Sequence, residues 1–284
     1  MGKKARPVGR CKLCLQRKLL ADSHFLPAGI IRQCMEPSLT NKNAVWVSHN
    51  GVKQTSKPIK DYVFCDKCEQ RFSKFGEQWT IRNLAQINGQ FPILRMLENV
   101  RPEAETDNTK IYAADNVPGM HVERLVHFGC GLLWKASVHQ WKMDGEVLIP
   151  LALGCEEQLR QYLHGDAPFP TRDVALVVSV SNAEKVLPGT FQPQYSVNSK
   201  EEPFELFKAY VSGIEFTLCV GEIPEGIMFI SATKEPYLIC TTPNAQAMAE
   251  EVFRKQLKSG KMSIGMKVTM KEISAIRSKL PSKE

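Results

Sequence analysis

The chain has 284 residues, of which 43% are hydrophobic and 24% charged. These are the proportions of an ordinary soluble globular protein, long enough for two domains. Nine cysteines, an odd number, argue against a disulfide framework. The longest apolar stretch, about residues 125–138, is broken by His127, Lys135 and Ser137 and is too short and polar for a membrane span. The net charge of +7 is uneven: residues 1–80 hold 15 Lys+Arg against 6 Asp+Glu, and the remainder is slightly acidic, so a polyanion such as nucleic acid is the expected partner of the N-terminal part.

In chain order, residues 1–10 read as a flexible basic tail, and no apolar run follows them as a signal peptide would require. The expected location is therefore cytoplasmic, where thiols stay reduced, with no membrane partner. Residues 11–20 read as a tight knuckle running into a strand. His24 to Pro27 should be extended, because proline disfavours a helical residue before it. A short helix is expected from Gly29 to Glu36. A hairpin is expected from Ala44–Ser48 and Val52–Thr55 around Asn50-Gly51. From Cys65 to about Leu84 the pattern is helical, with Phe72, Phe75 and Trp79 at spacings of three and four, which favours core packing over base stacking.

Residues 99–118 read as a linker. A nearly buried helix should run from His121 to about Trp141, with Gly129-Cys130-Gly131 admitting a second helix at close range. His121, His127 and His139 share no useful face there and read as structural or exposed. A helix over Glu156–Leu163 should stop at Pro168 and Pro170. Strands are expected at Val174–Val180, Glu215–Val220, Ile227–Ser231 and Tyr237–Cys240. An amphipathic helix should follow from Ala245 to Lys258, capped by Asn244 and ended near Gly260. The expected fold class is α+β: a zinc-binding module over 11–98, then a domain over 119–284 with a helical middle and an α+β C-terminal part.

Cys11, Cys14, Cys65 and Cys68 form two CxxC pairs separated by fifty residues. Each CxxC turn points two thiolates at one ion, and Zn²⁺ takes four in a tetrahedron, so a structural zinc is expected. The first pair sits on a knuckle and the second opens a helix, which is the treble-clef layout. Lys12, Arg17, Lys18, Lys67 and Arg71 surround the pairs and favour the thiolate forms. With Arg32 they make up the candidate nucleic-acid-binding set. Cys34, Cys130, Cys155, Cys219 and Cys240 show no partner spacing and read as small buried hydrophobes. The sequence has no phosphate loop, GxGxxG, GxSxG or HExxH signature.

Between the two pairs stands Asp22-Ser23-His24-Phe25-Leu26-Pro27, and Glu69 follows the last cysteine. On these residues the stretch 11–75 resembles the HNH nuclease superfamily, whose ββα-metal core often carries such a zinc clamp. The resemblance implies a metal-dependent endonuclease acting on DNA, with His24 as the general base and Mg²⁺ or Mn²⁺ at the scissile phosphate. It places Glu69 where that family usually has a helix histidine, and Ser23 where it has an acid. Asp22, one residue away, would face the other side of a strand. Asn43 or Asn50 would be the hairpin asparagine, and His49 a second imidazole.

The wider run C-x-L-C, S-H-[apolar]-[apolar]-P and C-x-x-C-E-x-x-F-S-x-x-G-E, with Leu132–Ser137 and Glu157–Leu163, is similar to a poorly characterised bacterial family. In that pattern Ser23 and Glu69 are regular members, which leaves open a modified metal site formed by Ser23 and His24 with Glu69 and Glu77. The alternative is a non-catalytic zinc module that binds nucleic acid or protein. The C-terminal part is left for recognition or assembly, through a homo-oligomer or a protein partner.

Overall fold

The computed structural model describes residues 5–34, 45–48, 51–54, 58–86, 88–141, 151–186, 189–196, 203–260, 262 and 267. It is a mixed α+β structure. The N-terminal part runs β1 (Val8–Arg10), β2 (Arg17–His24), α1 (Ala28–Gln33), β3 (Val45–Ser48), β4 (Gly51–Gln54), β5 (Lys60–Cys65) and α2 (Asp66–Phe72). The backbone then continues through a π-helical turn, Ser73–Glu77, into α3 (Gln78–Asn83) and α4 (Pro92–Glu98). The short strands β6 (Ala104–Glu105) and β7 (Lys110–Ala113) lead to α5 (Val122–Val138) and α6 (Leu153–His164). After them come β8 (Val174–Val180), β9 (Thr190–Ser196), β10 (Phe204–Val211), β11 (Ile214–Gly221), α7 (Glu225–Phe229), β12 (Leu238–Thr241) and α8 (Ala247–Ser259).

Two sheets result. The first is small and antiparallel, ordered β1-β2-β5. An irregularity in the β2–β5 pairing between Leu20 and Asp22 leaves Ser23 fully buried while Asp22 stays at the surface, ion-paired with Lys60. The second sheet has nine strands, ordered β4-β3-β9-β10-β11-β8-β12-β7-β6, with parallel pairings at β3–β9 and β12–β8. The expected hairpin therefore forms as β3 and β4, but it docks on the edge of the large sheet and not on the zinc knuckle.

Helix α5 lies between the two sheets. One hydrophobic cluster runs continuously from Cys11 and Phe64, through Leu125–Ala136 of α5, to Val174 and Phe216 of the large sheet. The tryptophans tie this core to the N-terminal part. Trp134 stacks on Phe64 at 5.9 Å and donates Nε1–H to the Glu156 carbonyl at 3.1 Å. Trp141 packs on Phe25 at 5.6 Å and donates to the Lys135 carbonyl at 2.7 Å. The Gly129-Cys130-Gly131 step admits close neighbours, from helices α2 and α6 at Gly131 as expected and from a strand at Gly129. Gly129 faces the Phe216 ring of β11, and Gly131 faces Phe72 and Leu163.

Five other expectations change. Val8–Arg10 is a strand, because its backbone pairs with Arg17–Leu19. Lys110–Ala113, within the expected linker, pairs with β12 and buries Tyr112. Ile227–Ser231 is not a strand: Pro224 opens a turn that closes from Met228 N–H to the Pro224 carbonyl and makes the short helix α7. Helix α6 stops at Gly165, which takes φ +82°, before the prolines are reached. Thr242, not Asn244, supplies a capping oxygen, accepting from the Asn244 N–H before α8 begins. Strands β9 and β10 lie outside the expected elements; β9 carries Pro193 between two glutamines, which hides its strand character.

A Cβ at position 129 would stand 2.4 Å from the Phe216 ring. Gly129→Ala is expected to destabilise the protein by about 1–3 kcal/mol through overpacking, despite the better helix propensity of alanine. Urea titration of the two proteins measures this, and adding Phe216→Leu to the Gly129→Ala protein should recover part of the loss.

Candidate metal centre and the clefts beside it

The four cysteines come from two tight local structures. Cys11 to Cys14 form the turn between β1 and β2. It is closed by Leu15 N–H to the Cys11 carbonyl and Cys11 N–H to the Gln16 carbonyl, both at 2.9 Å, and Leu15 takes φ +59° to complete it. Cys65 ends β5 and occupies the cap position of α2, and Cys68 lies in the first helical turn. The backbone N–H of Cys65 points at the Cys11 sulfur at 3.4 Å. All four sulfur atoms lie within 4.8 Å of one another, a position suited to one metal ion and consistent with a structural zinc.

The protonation pattern fits that need. A hydrogen bond from the Cys68 thiol draws Cys11 down to about 4 and pushes Cys68 itself far up. Burial pushes Cys14 up as well. Four thiolates this close are held together only with a cation at their centre. The knuckle is also held from outside: Arg160 of α6 donates to the Leu13 carbonyl at 2.7 Å, and Arg6 bridges the Leu20 carbonyl and Asp66, both at 2.8 Å.

His24 and Glu69 come together on one side of α2. His24 is the last residue of β2 and Glu69 lies one position after Cys68, so both are placed by the metal-holding frame. They open into one cleft of about 300 Å³ with Pro27, Ala28, Gln70, Ser73 and Glu77. Burial raises the Glu69 carboxyl above the usual range, which the Lys135 ammonium and the Ser23 hydroxyl partly counter. Its Oε1 is buried without a hydrogen-bond partner. Ser23 accepts the Phe64 N–H at 3.0 Å, which fixes it in the strand beside His24. Glu77 is already engaged: Lys135, only 3% exposed, donates to its Oε1 at 2.9 Å and lies over the Phe72 ring at 4.1 Å.

As a group, His24, Glu69 and Glu77 do not converge on one point. Among the described residues, the four cysteines are the one set of three or more His, Cys, Asp or Glu whose donor atoms gather closely enough for an ion.

The other side of α2 opens into a second cleft of about 410 Å³, lined by Cys14, Gln16, Lys18, Cys65, Lys67, Cys68, Gln70, Arg71, Lys74, Phe75 and His164. Lys18, Lys67 and Arg71 of the candidate nucleic-acid set meet here, joined by Lys74. Lys12, Arg17 and Arg32 are exposed elsewhere and do not line it. Gln70 lines both clefts.

Sequence reasoning missed Lys74, Lys135 and the division of the helix into two faces. The division was readable: Glu69, Ser73 and Glu77 recur every four residues, and Lys67, Arg71 and Lys74-Phe75 recur on the neighbouring row. Lys135 comes from a distant helix and has no local signal. Asn43, His49 and Asn50 lie outside the described residues.

No family model matches this sequence. No curated protein matches it, and neither does any solved structure. No helix among the described residues is long and apolar enough to cross a membrane.

The metal centre makes a direct prediction. The purified protein should carry one zinc per chain by elemental analysis, and Cys11→Ser or Cys68→Ser should lose it and melt at a markedly lower temperature. Structural zinc sites of this kind contribute on the order of 10 kcal/mol to folding in isolated fingers.

A second prediction concerns His127. It is buried among Phe72, Phe75 and Tyr162, its Nδ1 has no partner, and burial lowers its pKa to about 4. The unfolded imidazole titrates near ~6.5, so the unfolded chain takes up the proton first. The stability tied to neutral His127 is complete above about pH 6.5. It is lost as pH falls to about 4, on the order of 3 kcal/mol in all. Denaturation curves of His127→Leu across this window should be flatter than those of the parent.

Proposed function

We propose that this protein is a zinc-clamped nuclease of the treble-clef, ββα-metal type that hydrolyses phosphodiester bonds in nucleic acid, DNA foremost, in the cleft shared by His24 and Glu69. One observation carries the reading. The strand end and the helix start that are pinned by the cysteine cluster deliver an imidazole and a buried, unpartnered carboxylate oxygen to one cleft, and Gln70 of that cleft also lines a lysine- and arginine-lined cleft.

In this reading His24 accepts a proton from a water molecule as its oxygen attacks phosphorus. The bond to the ester oxygen breaks, and that oxygen leaves with the electron pair and takes a proton from solvent. Lys18, Lys67, Arg71 and Lys74 hold the backbone phosphates beside the site. Glu69 is the donor a Mg²⁺ or Mn²⁺ ion would use, since its Oε1 is a hard oxygen with no hydrogen-bond partner. Such an ion, when bound, supplies Lewis-acid stabilisation of the phosphoryl oxygens. Glu77 would not join it while Lys135 holds its oxygen.

That ion pair favours a second reading, a zinc module that binds nucleic acid without cutting it. Lys135 already neutralises the acidic side of the helix, and the donors there do not gather at one point.

The experiment is a cleavage assay on supercoiled plasmid and on single-stranded DNA with Mg²⁺ or Mn²⁺, comparing the parent with His24→Ala and Glu69→Gln at equal zinc content. Nicking that falls by about a hundredfold or more in zinc-loaded His24→Ala is the expected result for loss of a general base. If the zinc-loaded parent cuts neither substrate yet binds DNA in a salt-sensitive way, the second reading replaces the first.

A further inference from the structure

The basic cleft has a composition that the zinc site alone does not require. A zinc tetrathiolate carries a net charge of −2, and basic side chains around it would be expected on that ground. The cleft, however, is lined by four cations, Lys18, Lys67, Arg71 and Lys74, and by no Asp or Glu. A local excess of about two positive charges remains after the zinc thiolates are balanced. Lys18, Lys67 and Lys74 have no ion-pair or hydrogen-bond partner among the described residues.

An aromatic ring stands in the midst of these cations. Phe72 and Phe75 share one helical run, but their fates differ: Phe72 is 2% exposed and Phe75 is 43% exposed. The Arg71 guanidinium carbon lies 4.5 Å from the centre of the Phe75 ring, and the Lys74 ammonium lies 5.7 Å from it. Arg71 is fixed in that pose by donating Nε–H to the Leu163 carbonyl at 2.6 Å. Gly165, the left-handed residue that ends α6, leaves room for its guanidinium; a Cβ there would stand 2.2 Å from an Arg71 nitrogen. An exposed ring and a planar cation thus form one pre-set stacking surface, surrounded by lysines that are free to meet phosphates.

We propose that this cleft binds single-stranded nucleic acid, with an unpaired base stacked on Phe75 and Arg71 and the flanking phosphates held by Lys18, Lys67 and Lys74. The inference rests on the nuclease reading for the choice of a phosphodiester polymer and adds its strandedness. A duplex hides its base faces within its own stack, and only an unpaired base offers one to an aromatic ring. A concavity of about 410 Å³ has the dimensions of a small-ligand pocket, enough for a nucleotide. An acidic peptide would satisfy the lysines and leave the ring without a role. Gln70 lines both this cleft and the one holding His24.

The test uses the full-length, zinc-loaded His24→Ala protein with no added divalent ion, so that binding is read without cleavage. Fluorescence anisotropy is measured on a labelled oligonucleotide of about 20 nucleotides and on the same strand annealed to its complement, a length that exceeds one single-strand binding site. The single strand should bind at least tenfold tighter than the duplex. Phe75→Leu in the same background should weaken single-strand binding about tenfold, in line with the loss of one stacked base, and leave duplex binding and zinc content unchanged. Lys67→Gln with Lys74→Gln should weaken both and lower the slope of log affinity against log salt by about one for each lysine that meets a phosphate.

Equal affinity for the two forms, or a Phe75→Leu protein that binds like its parent, overturns the proposal. So do lysine substitutions that release zinc without altering binding, because they assign the charges to the metal centre. So would binding of a poly-glutamate chain more tightly than the oligonucleotide. The two readings fail separately. Single-strand preference in a protein whose parent cuts nothing keeps this inference and removes the nuclease; cutting without the preference does the reverse.

Discussion

Four cysteine sulfurs within 4.8 Å of one another are the constraint on which the N-terminal structure depends. Four thiolates at that spacing repel strongly, and the protons they would otherwise keep are distributed unevenly, with Cys11 low and Cys68 and Cys14 high. A cation at the centre removes that conflict and in doing so ties the knuckle before β2 to the junction of β5 and α2. Once those points are fixed, the pairing of β2 with β5 follows, and His24 must emerge where β2 ends, beside the first turn of α2. The geometry of both clefts is therefore a consequence of where the sulfurs meet.

The frame around the cysteine cluster does not stand alone. It rests on α5, whose other face packs on the nine-stranded sheet, and the contacts are specific. Phe64 and Phe72 meet Trp134, Phe25 meets Trp141, and Arg160 reaches the Leu13 carbonyl. The hairpin of β3 and β4 leaves the zinc frame and joins the large sheet at β9. This physical continuity makes α5 both a core element and a wall of the site, because Lys135 reaches from it to Glu77. A buried lysine is costly to desolvate unless it is paired. Its position over Phe72, beside two carboxylates, is what makes it tolerable there.

Legibility in the sequence followed the range of the interactions. The cysteine cluster was readable because CxxC spacing is a local chemical code. Helices α2, α5, α6 and α8 were readable from periodicity, and β8, β11 and β12 from their runs of Val, Ile and Leu. Strand β9 was not, because Thr190–Ser196 interleaves Gln, Pro and Tyr and is a strand through pairing with β10 and β3. Strand β7 reads as linker because only its partner β12 makes it a strand. Ile227–Phe229 has the composition of a strand and becomes a helix through the turn that Pro224 opens. Within the site, His24, Glu69 and Glu77 line one cleft without converging on a point, whereas Lys135 and Gly165 enter from elements more than fifty residues away.

Helix α2 and the π turn after it carry opposite chemistry on adjoining faces, and this arrangement bears on any polyanion that approaches. Two carboxylates a few ångströms from a phosphate would repel it by about 3 kcal/mol each at an effective dielectric constant of ~20 and a separation of ~5 Å. The Lys135 ammonium offsets most of one such charge from within. Burial raises the Glu69 carboxyl above its usual range, with Lys135 and Ser23 working against it. The acidic face is thus less negative than its residues suggest, while Lys67 and Lys74 on the other face stay exposed to solvent. A carboxylate oxygen that is buried, unpaired and shielded in this way is poorly suited to holding the fold together and well suited to meeting a ligand.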